Sequence, residues 1–455
     1  MPLAEDDQVV TIGTHGRRVW LYVDRVVGRW MVRRTAVAWL LFSILLVAPW
    51  IDMGDHAALR FDIPNRKFHL FGITLLASDS SYLLFLFGSV VFSVFLVTAL
   101  WGRAWCGWAC PQTVFLESII RPIEALIEGS PRTRARLDQG PLTAAKVWKK
   151  GLKFAVYLMV AGAVGTTVVA YFIGREGVLD AQFDPRTHPA GTAFFVAITA
   201  LLFFDFAWFR EQTCVVVCPY GRFQSVLLDA DSVSVNYDAR RGEPRGKKGS
   251  TTGDCVDCHR CVQVCPTGID IRKGVQMECV GCMACIDACD DVMVRMNRPE
   301  GLIRFASLNE LEAKPRRVWR PRVVLYVIAL VAVVAGLTFS LNHREALEFS
   351  LARAPGSLYT ELPGDQVQNQ ANLRISNRSH TERQVRIEVV EPAGGSIVVP
   401  GQPLKMAAER ELRVPVFMVR SRPETANGRS PFTIRVHDDQ GYERLYTWNF
   451  MSKPR

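Results

Sequence analysis

Cys255-Val256-Asp257-Cys258-His259-Arg260-Cys261-Val262-Gln263-Val264-Cys265-Pro266 decides how this chain is read, together with Cys279-Val280-Gly281-Cys282-Met283-Ala284-Cys285-Ile286-Asp287-Ala288-Cys289-Asp290 just downstream. Both runs have the spacing Cys-x2-Cys-x2-Cys-x3-Cys. Three closely spaced thiolates fold around three irons of a cubane, and where two such runs occur the fourth Cys of each reaches the other cluster. One [4Fe-4S] cluster is therefore expected on Cys255, Cys258, Cys261 and Cys289. The other is expected on Cys279, Cys282, Cys285 and Cys265. Cys-x2-Cys also serves zinc, but two complete runs weigh against a pair of zinc sites. Asp290 stands where the first run has Pro266, which relaxes the turn and removes no ligand. His259 reads as a neighbour of the cluster or a surface residue, since four thiols are already present.

All twelve Cys fall between Cys106 and Cys289. A disulfide scaffold would spread its Cys over the folded domains; short repeated spacings imply metal ligation in a reducing compartment. The other four Cys sit in Trp105-Cys106-Gly107-Trp108-Ala109-Cys110-Pro111 and Thr213-Cys214-Val215-Val216-Val217-Cys218-Pro219. Each motif closes a pair of apolar segments, read as a helical hairpin, so the unit looks duplicated with its thiols at equivalent depth. At i, i+4 on a helix two thiols share one face, and thiolates favour Cu(I), zinc or iron–sulfur. Cys106, Cys110, Cys214 and Cys218 are thus candidate metal-binding and catalytic residues. Four buried structural thiols, a disulfide within a pair, and one site built from all four remain open. Asp205, in Phe203-Phe204-Asp205-Phe206-Ala207-Trp208, is an ionisable group inside an apolar run, which is costly and often functional. Its expected role is an ion pathway or a pairing with Arg103 or Arg210. Arg210 and Glu211 read as markers of the membrane boundary.

Hydrophobic residues make up 49% of the 455-residue chain and charged residues 22%, a mixture that suits a protein part membrane and part soluble. Five apolar segments, at 35–51, 81–101, 151–173, 192–210 and 322–341, approach the roughly 20 residues a bilayer requires. Arg17, Arg18, Arg25, Arg29, Arg33 and Arg34 precede the first segment, and the loop 102–150 is equally basic, whereas 52–80 and 174–191 are poor in Lys and Arg. The N-terminus and the cluster segment are therefore expected inside, and the C-terminus outside. No cleavable signal peptide is visible. The net charge of +10 follows from the inner loops, so no nucleic-acid partner is expected. The tail alternates apolar and polar residues, as in Gln384-Val385-Arg386-Ile387-Glu388-Val389 and Phe432-Thr433-Ile434-Arg435-Val436, between turn formers; this predicts a β-sandwich.

The expected fold class is multi-domain. It combines a polytopic α-helical membrane domain of about five spans, a cytoplasmic two-cluster ferredoxin-like α+β domain and a C-terminal Ig-like β-sandwich. The expected limits are 1–34 for a cytoplasmic N-terminal segment, 35–230 for the membrane domain, 231–321 for the cluster domain, 322–341 for the fifth span and 345–455 for a periplasmic sandwich. Arg240-Arg241-Gly242-Glu243-Pro244-Arg245-Gly246-Lys247-Lys248 reads as a flexible tether or a dock for an acidic donor. His56, His69 and His188 fall in the outer loops, with no spacing that marks a metal. No nucleotide-binding Gly-x-Gly-x-x-Gly fingerprint is present, so the electrons are expected from a partner of unknown identity.

Arg103 through Val114, Trp208 through Cys214, Cys218-Pro219-Tyr220-Gly221-Arg222 and Tyr237 through Gly246, with both cluster runs, resemble the CcoG/FixG/RdxA family. The resemblance is close over about residues 100–300. It implies an accessory protein for assembly of a cbb3-type cytochrome c oxidase. It further implies a protein of the bacterial inner membrane that reduces Cu(II) to Cu(I), holds copper at Cys106, Cys110, Cys214 and Cys218, and works with copper chaperones and oxidase assembly factors. A membrane electron conduit to a quinone or partner reductase, without copper chemistry, is the alternative. A homodimer stays open.

Overall fold

The computed structural model describes residues 18–53, 56–76, 79–246, 253–423 and 427–454. The chain forms two compact units, one from the residues up to Phe61 with Phe85–Gly336, the other from Asp62–Leu84 with Leu337–Arg455. Among the described residues, five helices are long and apolar enough to cross a membrane: Arg29–Trp50, Ser81–Trp101, Ala144–Gln182, Pro189–Phe209 and Pro321–Asn342.

In the first unit, the first span starts earlier than its apolar run. Its first N–H groups have no partner within the helix. The Asp287 carboxylate, from between Cys285 and Cys289, accepts from the backbone of Trp30 at 3.2 Å and Met31 at 2.8 Å. Arg34 is buried and donates to the Gly107 carbonyl at 2.7 Å. The third span also differs from expectation. Its helix runs Ala144–Phe183, capped by Thr143, and is broken only at Gly174 (φ 75°, ψ 167°). That conformation is open to glycine and costly for other residues, so the apolar run ends at a kink while the helix resumes beyond it.

The two expected hairpins are not equivalent. The third and fourth spans pack on each other, with Phe172 and Phe194 rings 5.1 Å apart. The first span packs on the third: Tyr171 donates to the Leu45 carbonyl at 2.7 Å, and Ala38 and Phe42 share a core with Tyr157, Ala161 and Val164. The second lies instead along the fifth, with Phe95 and Tyr326 rings 5.8 Å apart.

The cluster domain is clamped by an antiparallel pair, Ser234–Tyr237 with Ile303–Ala306. Between these strands lie the helices Arg260–Gln263 and Ala284–Arg295. The first is short, and its run ends at Pro266. The second, with Asp290 in place of proline, continues through Cys289. Asp290 accepts from the Gly301 backbone at 2.9 Å and pairs with Arg29 at 3.3 Å. The basic stretch before the first run is not a tether in its described part. Arg240 and Arg241 lie in the helix Ala239–Gly242, and Arg241 pairs with Asp254 at 2.5 Å and donates to the Glu300 carbonyl at 2.8 Å. Lys247 and Lys248 lie outside the described residues.

The second unit contains a β-sandwich. One sheet orders Ser396–Val398, Glu411–Ser421, Gln366–Asn377 and Leu347–Arg353, with Thr360–Leu362 also on Gln366–Asn377. The other orders Leu404–Met406, Arg383–Glu391, Arg429–Asp438 and Glu443–Met451. The alternation is realised: Val385, Ile387, Phe432, Ile434 and Val436 are buried in one core. A hairpin, Lys67–Leu70 with Ile73–Leu75, belongs to the same unit. Asp79, fully buried, pairs with Arg344 at 2.8 Å and with Arg378.

Candidate metal and electron-transfer site

The two cluster runs adopt one backbone. Asp257 (φ 52°) and His259 (φ 54°) flank Cys258; Gly281 (φ 66°) and Met283 (φ 64°) flank Cys282 at the matching positions. Three of these four are not glycine, so the left-handed turn costs energy at each. Two segments of different sequence accept the same strain because it curls each loop so that three thiols point inward. One small cavity is lined by Cys255, Cys258, Cys261 and Cys289, the other by Cys265, Cys279, Cys282 and Cys285 with Cys261 at its edge. Each run thus contributes its fourth Cys to the cavity of the other. The remaining lining is largely apolar, including Tyr237, Met293 and Ile303 in the first cavity and Val235, Ile269 and Ile271 in the second.

Burial raises the thiol of Cys279 to about 11 and those of Cys261, Cys282 and Cys289 to about 12, and neighbouring thiols push the same way. Cys285 is raised well above the ordinary value by burial and by Cys282 and Cys279. Such thiols ionise only against a metal charge, so loading releases protons. Four thiols in each largely apolar cavity fit an iron–sulfur cluster. His259 is no ligand: its Nδ1 meets the Arg272 guanidinium at 2.8 Å, which also binds Asp257 and Asp270. Cys258 is exposed, so the first cavity lies at the domain surface.

The Cys-x3-Cys-Pro motifs depart from the expectation of two thiols on one helix face. Cys106 lies in the short helix Ala104–Trp108, and Cys110 (φ −63°, ψ 124°) caps a new helix, Pro111–Phe115. Cys214 lies in the turn Thr213–Val217, and Cys218 (φ −66°, ψ 108°) caps Pro219–Leu227. The cause is the proline. It suits the first helical position and forces the residue before it out of the α region. Both motifs break at the same place, so the repeat is preserved in the backbone.

The four thiols share one environment. Burial pushes Cys106 up to about 12, with Cys110 and Cys218 adding to it and Arg103 opposing. Burial also raises Cys214, with contributions from Cys110, Cys106 and Cys218. Gln224, fully buried, reaches from the second motif to the first: its Oε1 accepts from Cys106 Sγ at 3.1 Å, and its Nε2 donates to Tyr220 at 2.7 Å. Sequence reasoning passed over Gln224, although Tyr220 and Gln224 sit at i, i+4 on the helix that Cys218 caps.

This thiol site abuts the second cluster loop. Cys106 and Cys214 pack against the buried core that Val280 and Cys282 help to form, and the nearby Cys279 adds to the rise of the Cys106 thiol. Arg103 donates to the carbonyls of Cys279 at 3.1 Å and Gly221 at 2.6 Å, and to that of Met277. Gly107 comes so close that a Cβ there would lie 2.6 Å from the Gly281 oxygen and 2.8 Å from the Val280 oxygen.

Asp205 pairs with neither Arg103 nor Arg210. Its carboxylate accepts from Gln112 Nε2 at 2.9 and 2.8 Å and from Thr213 Oγ1 at 2.9 Å. Gln112 follows Cys110 by two residues and Thr213 precedes Cys214, so Asp205 ties the two motifs together. Arg210 is more than a boundary marker. It is buried and grips Glu124 at 2.8 and 3.0 Å, and Arg134 reaches the same carboxylate at 2.9 Å. Burial alone would raise Glu124, but Arg210, Lys153 and Arg134 hold it at about 2. Arg121 fastens this region to the first run through the Pro266 carbonyl at 3.0 Å.

Comparison with known proteins agrees with this layout. A family profile described as a 4Fe-4S dicluster domain matches residues 209–308, and a 4Fe-4S binding domain matches 83–128. A third, described as an IG-like fold at the C-terminal of FixG, matches 337–453. Protein RdxA of Cereibacter sphaeroides is 38% identical over 379 residues, covering 79% of this chain and 81% of RdxA. Nitrogen fixation protein FixG of Rhizobium meliloti is 30% identical over 487 residues, covering 95% of this chain and 93% of FixG. Protein RdxB of Cereibacter sphaeroides is 30% identical over 461 residues, covering 96% of each.

Proposed function

The chain belongs to the FixG/RdxA family, an iron–sulfur electron-transfer family of the membrane, and on that premise we propose that it reduces Cu(II) to Cu(I) for assembly of a cbb3-type cytochrome c oxidase. The observation that carries the reading is the contact between the four-thiol site and the second cluster loop, Gly107 against Gly281. Bound iron–sulfur clusters supply one-electron reduction. The rest is done by the chain's own residues. Cys106, Cys110, Cys214 and Cys218 offer soft sulfur donors, which prefer Cu(I) to Cu(II), so binding there favours gain of an electron. Arg103 stabilises the thiolate form of Cys106 and holds the two motifs and the cluster loop in register through three carbonyls. Asp205 fixes the spacing of the motifs. The basic inner loops support an inner-membrane protein with its clusters in the cytoplasm and its sandwich in the periplasm. Cu(I) would then pass to copper chaperones and oxidase assembly factors.

The test uses detergent-purified protein handled without air. Its clusters are reduced, Cu(II) is added, and cluster reoxidation is followed by optical and EPR spectroscopy alongside Cu(I) capture by a specific chelator. Reoxidation in step with Cu(I) formation, lost when Cys106, Cys110, Cys214 and Cys218 are all changed to Ser, is the expected result. Equal reoxidation in both proteins, or none in either, overturns the copper reading.

A further inference from the structure

A directional file of hydrogen bonds leads away from Cys106 into the helix of the other thiol motif. Gln224 and Thr98 are both fully buried. Thr98 donates to the Val94 carbonyl at 2.8 Å, one turn back in its own helix. At its 3.1 Å contact with Tyr220 the phenol is therefore the donor and Thr98 Oγ1 the acceptor. Tyr220 in turn accepts from Gln224 Nε2 at 2.7 Å, and Gln224 Oε1 accepts from Cys106 Sγ at 3.1 Å. Each group gives its proton one step further along, from the thiol to a backbone carbonyl. Tyr220 and Gln224 sit one turn apart on Pro219–Leu227, the helix that Cys218 caps. A side chain carried by the second motif's helix is thus in direct contact with the sulfur of the first.

We propose that Gln224 is a positioning residue for the four-thiol site: its side-chain amide turns over when Cys106 binds copper and donates an N–H to the bound sulfur. The inference rests on the copper reading above. A cysteine that binds a soft cation does so as the thiolate, releasing its proton to solvent, and a thiolate accepts hydrogen bonds but donates none. With the amide as it stands, the oxygen would face that negative sulfur at 3.1 Å. Full burial denies the amide water as another partner. A half-turn about its terminal bond exchanges the oxygen and the nitrogen. Nε2 then donates to Cys106, and the oxygen takes the place 2.7 Å from Tyr220, whose hydroxyl turns away from Thr98 to donate to it. Both ends of the amide stay hydrogen-bonded, as a buried polar group requires. The residue type follows from this double duty. A carboxylate could accept from the thiol but has nothing to give a thiolate, and an ammonium has the opposite defect; an amide serves both states. An N–H on a thiolate draws charge from the sulfur, and hydrogen bonding around a cysteine sulfur tunes the potential of bound copper. Weaker sulfur donation destabilises Cu(II) more than Cu(I), so the contact favours gain of the electron.

The test uses full-length protein in detergent, handled without air. Cu(I) affinity is measured by competition with a specific chelator. The ultraviolet sulfur-to-copper charge-transfer band is taken from the difference spectrum on adding one equivalent of Cu(I). Cluster EPR and iron content check that each variant is folded. Gln224→Met, similar in length and without an N–H, is expected to bind Cu(I) about 10–100-fold more weakly, the usual loss when a ligand's hydrogen-bonded neighbour is removed. Its charge-transfer band should move to lower energy, because the sulfur lone pairs have lost their donor. A side chain that served packing alone would leave the band in place. Tyr220→Phe is expected to act in the same direction with a smaller loss: the turned amide oxygen loses its donor, whereas in the unturned amide Nε2 keeps Thr98 Oγ1 at 3.4 Å. This second variant decides the matter if Gln224→Met does not load its clusters. Cu(I) binding that needs Cys106, Cys110, Cys214 and Cys218 but is not weakened by either variant, with an unmoved band, overturns the role of Gln224 and leaves the copper reading standing. Cu(I) binding that persists when all four are changed to Ser overturns the copper reading and the role of Gln224 with it.

Discussion

Gly107→Ala puts two effects in opposition, and the structure decides which wins. Gly107 lies in the helix Ala104–Trp108, where alanine is intrinsically better by about 0.8–1.0 kcal/mol. By propensity alone the variant would be more stable. The new Cβ, however, would stand 2.6 Å from the Gly281 oxygen, 2.7 Å from its carbonyl carbon and 2.8 Å from the Val280 oxygen. All three are backbone atoms of the loop that carries Cys279 and Cys282, so no side chain can rotate away. Relief needs the loop to retreat by several tenths of an ångström, while Arg103 holds it through the Cys279 carbonyl. Overpacking of this kind costs about 1–3 kcal/mol, so the net expectation is a loss of about 0–2 kcal/mol. The strain falls on one cluster loop. Thermal unfolding in detergent, with iron content and cluster EPR, measures both parts. The expected result is a lower Tm with an altered signal from one cluster and an unchanged signal from the other. A raised Tm with both cluster signals intact would show that propensity wins, and would refute the close contact between the thiol site and the cluster loop.

Two other positions yield sharp expectations. Glu124→Gln leaves Arg210 and Arg134 buried without their shared carboxylate, which should cost about 3–5 kcal/mol by chemical denaturation. Since the folded Glu124 sits at about 2, below its ordinary 4.5, its contribution is complete above pH 4.5 and fades as pH falls toward 2. The wild type should lose stability over that window more steeply than the variant, and parallel pH profiles would contradict the assignment. Asp205→Asn can no longer accept from both Gln112 and Thr213 with a full carboxylate, a loss of about 1–3 kcal/mol. Its expected signature is weaker Cu(I) binding with unaltered cluster EPR. Copper affinity equal to wild type would remove Asp205 from the positioning of the thiols.

What could be read from the sequence was what depends on near neighbours along the chain. Cluster ligands recur at fixed short spacings, so the assignment of Cys289 and Cys265 to opposite runs could be written down at once, and the cavities gather the thiols in that way. Alternation in the sandwich is a property of five or six consecutive residues, and Phe432, Ile434 and Val436 turn inward together. The misreading of the Cys-x3-Cys pairs was also local. Pro111 and Pro219 announce a break before themselves, and that signal outweighs the i, i+4 spacing. Partner choice was hidden, because it joins residues far apart in the chain. Nothing near Asp205 points to Gln112, and nothing near Trp30 points to Asp287. The basic loops show why. Arg34, Arg103, Arg121 and Arg134 were counted as charges that orient a membrane protein, yet each is buried and bound to a specific carbonyl or carboxylate. Counting them needs only their positions, whereas finding their partners needs the fold. A charge that serves an expected orientation is already explained, and its second role as a fastener between the membrane helices and the cluster loops leaves no further mark in the sequence.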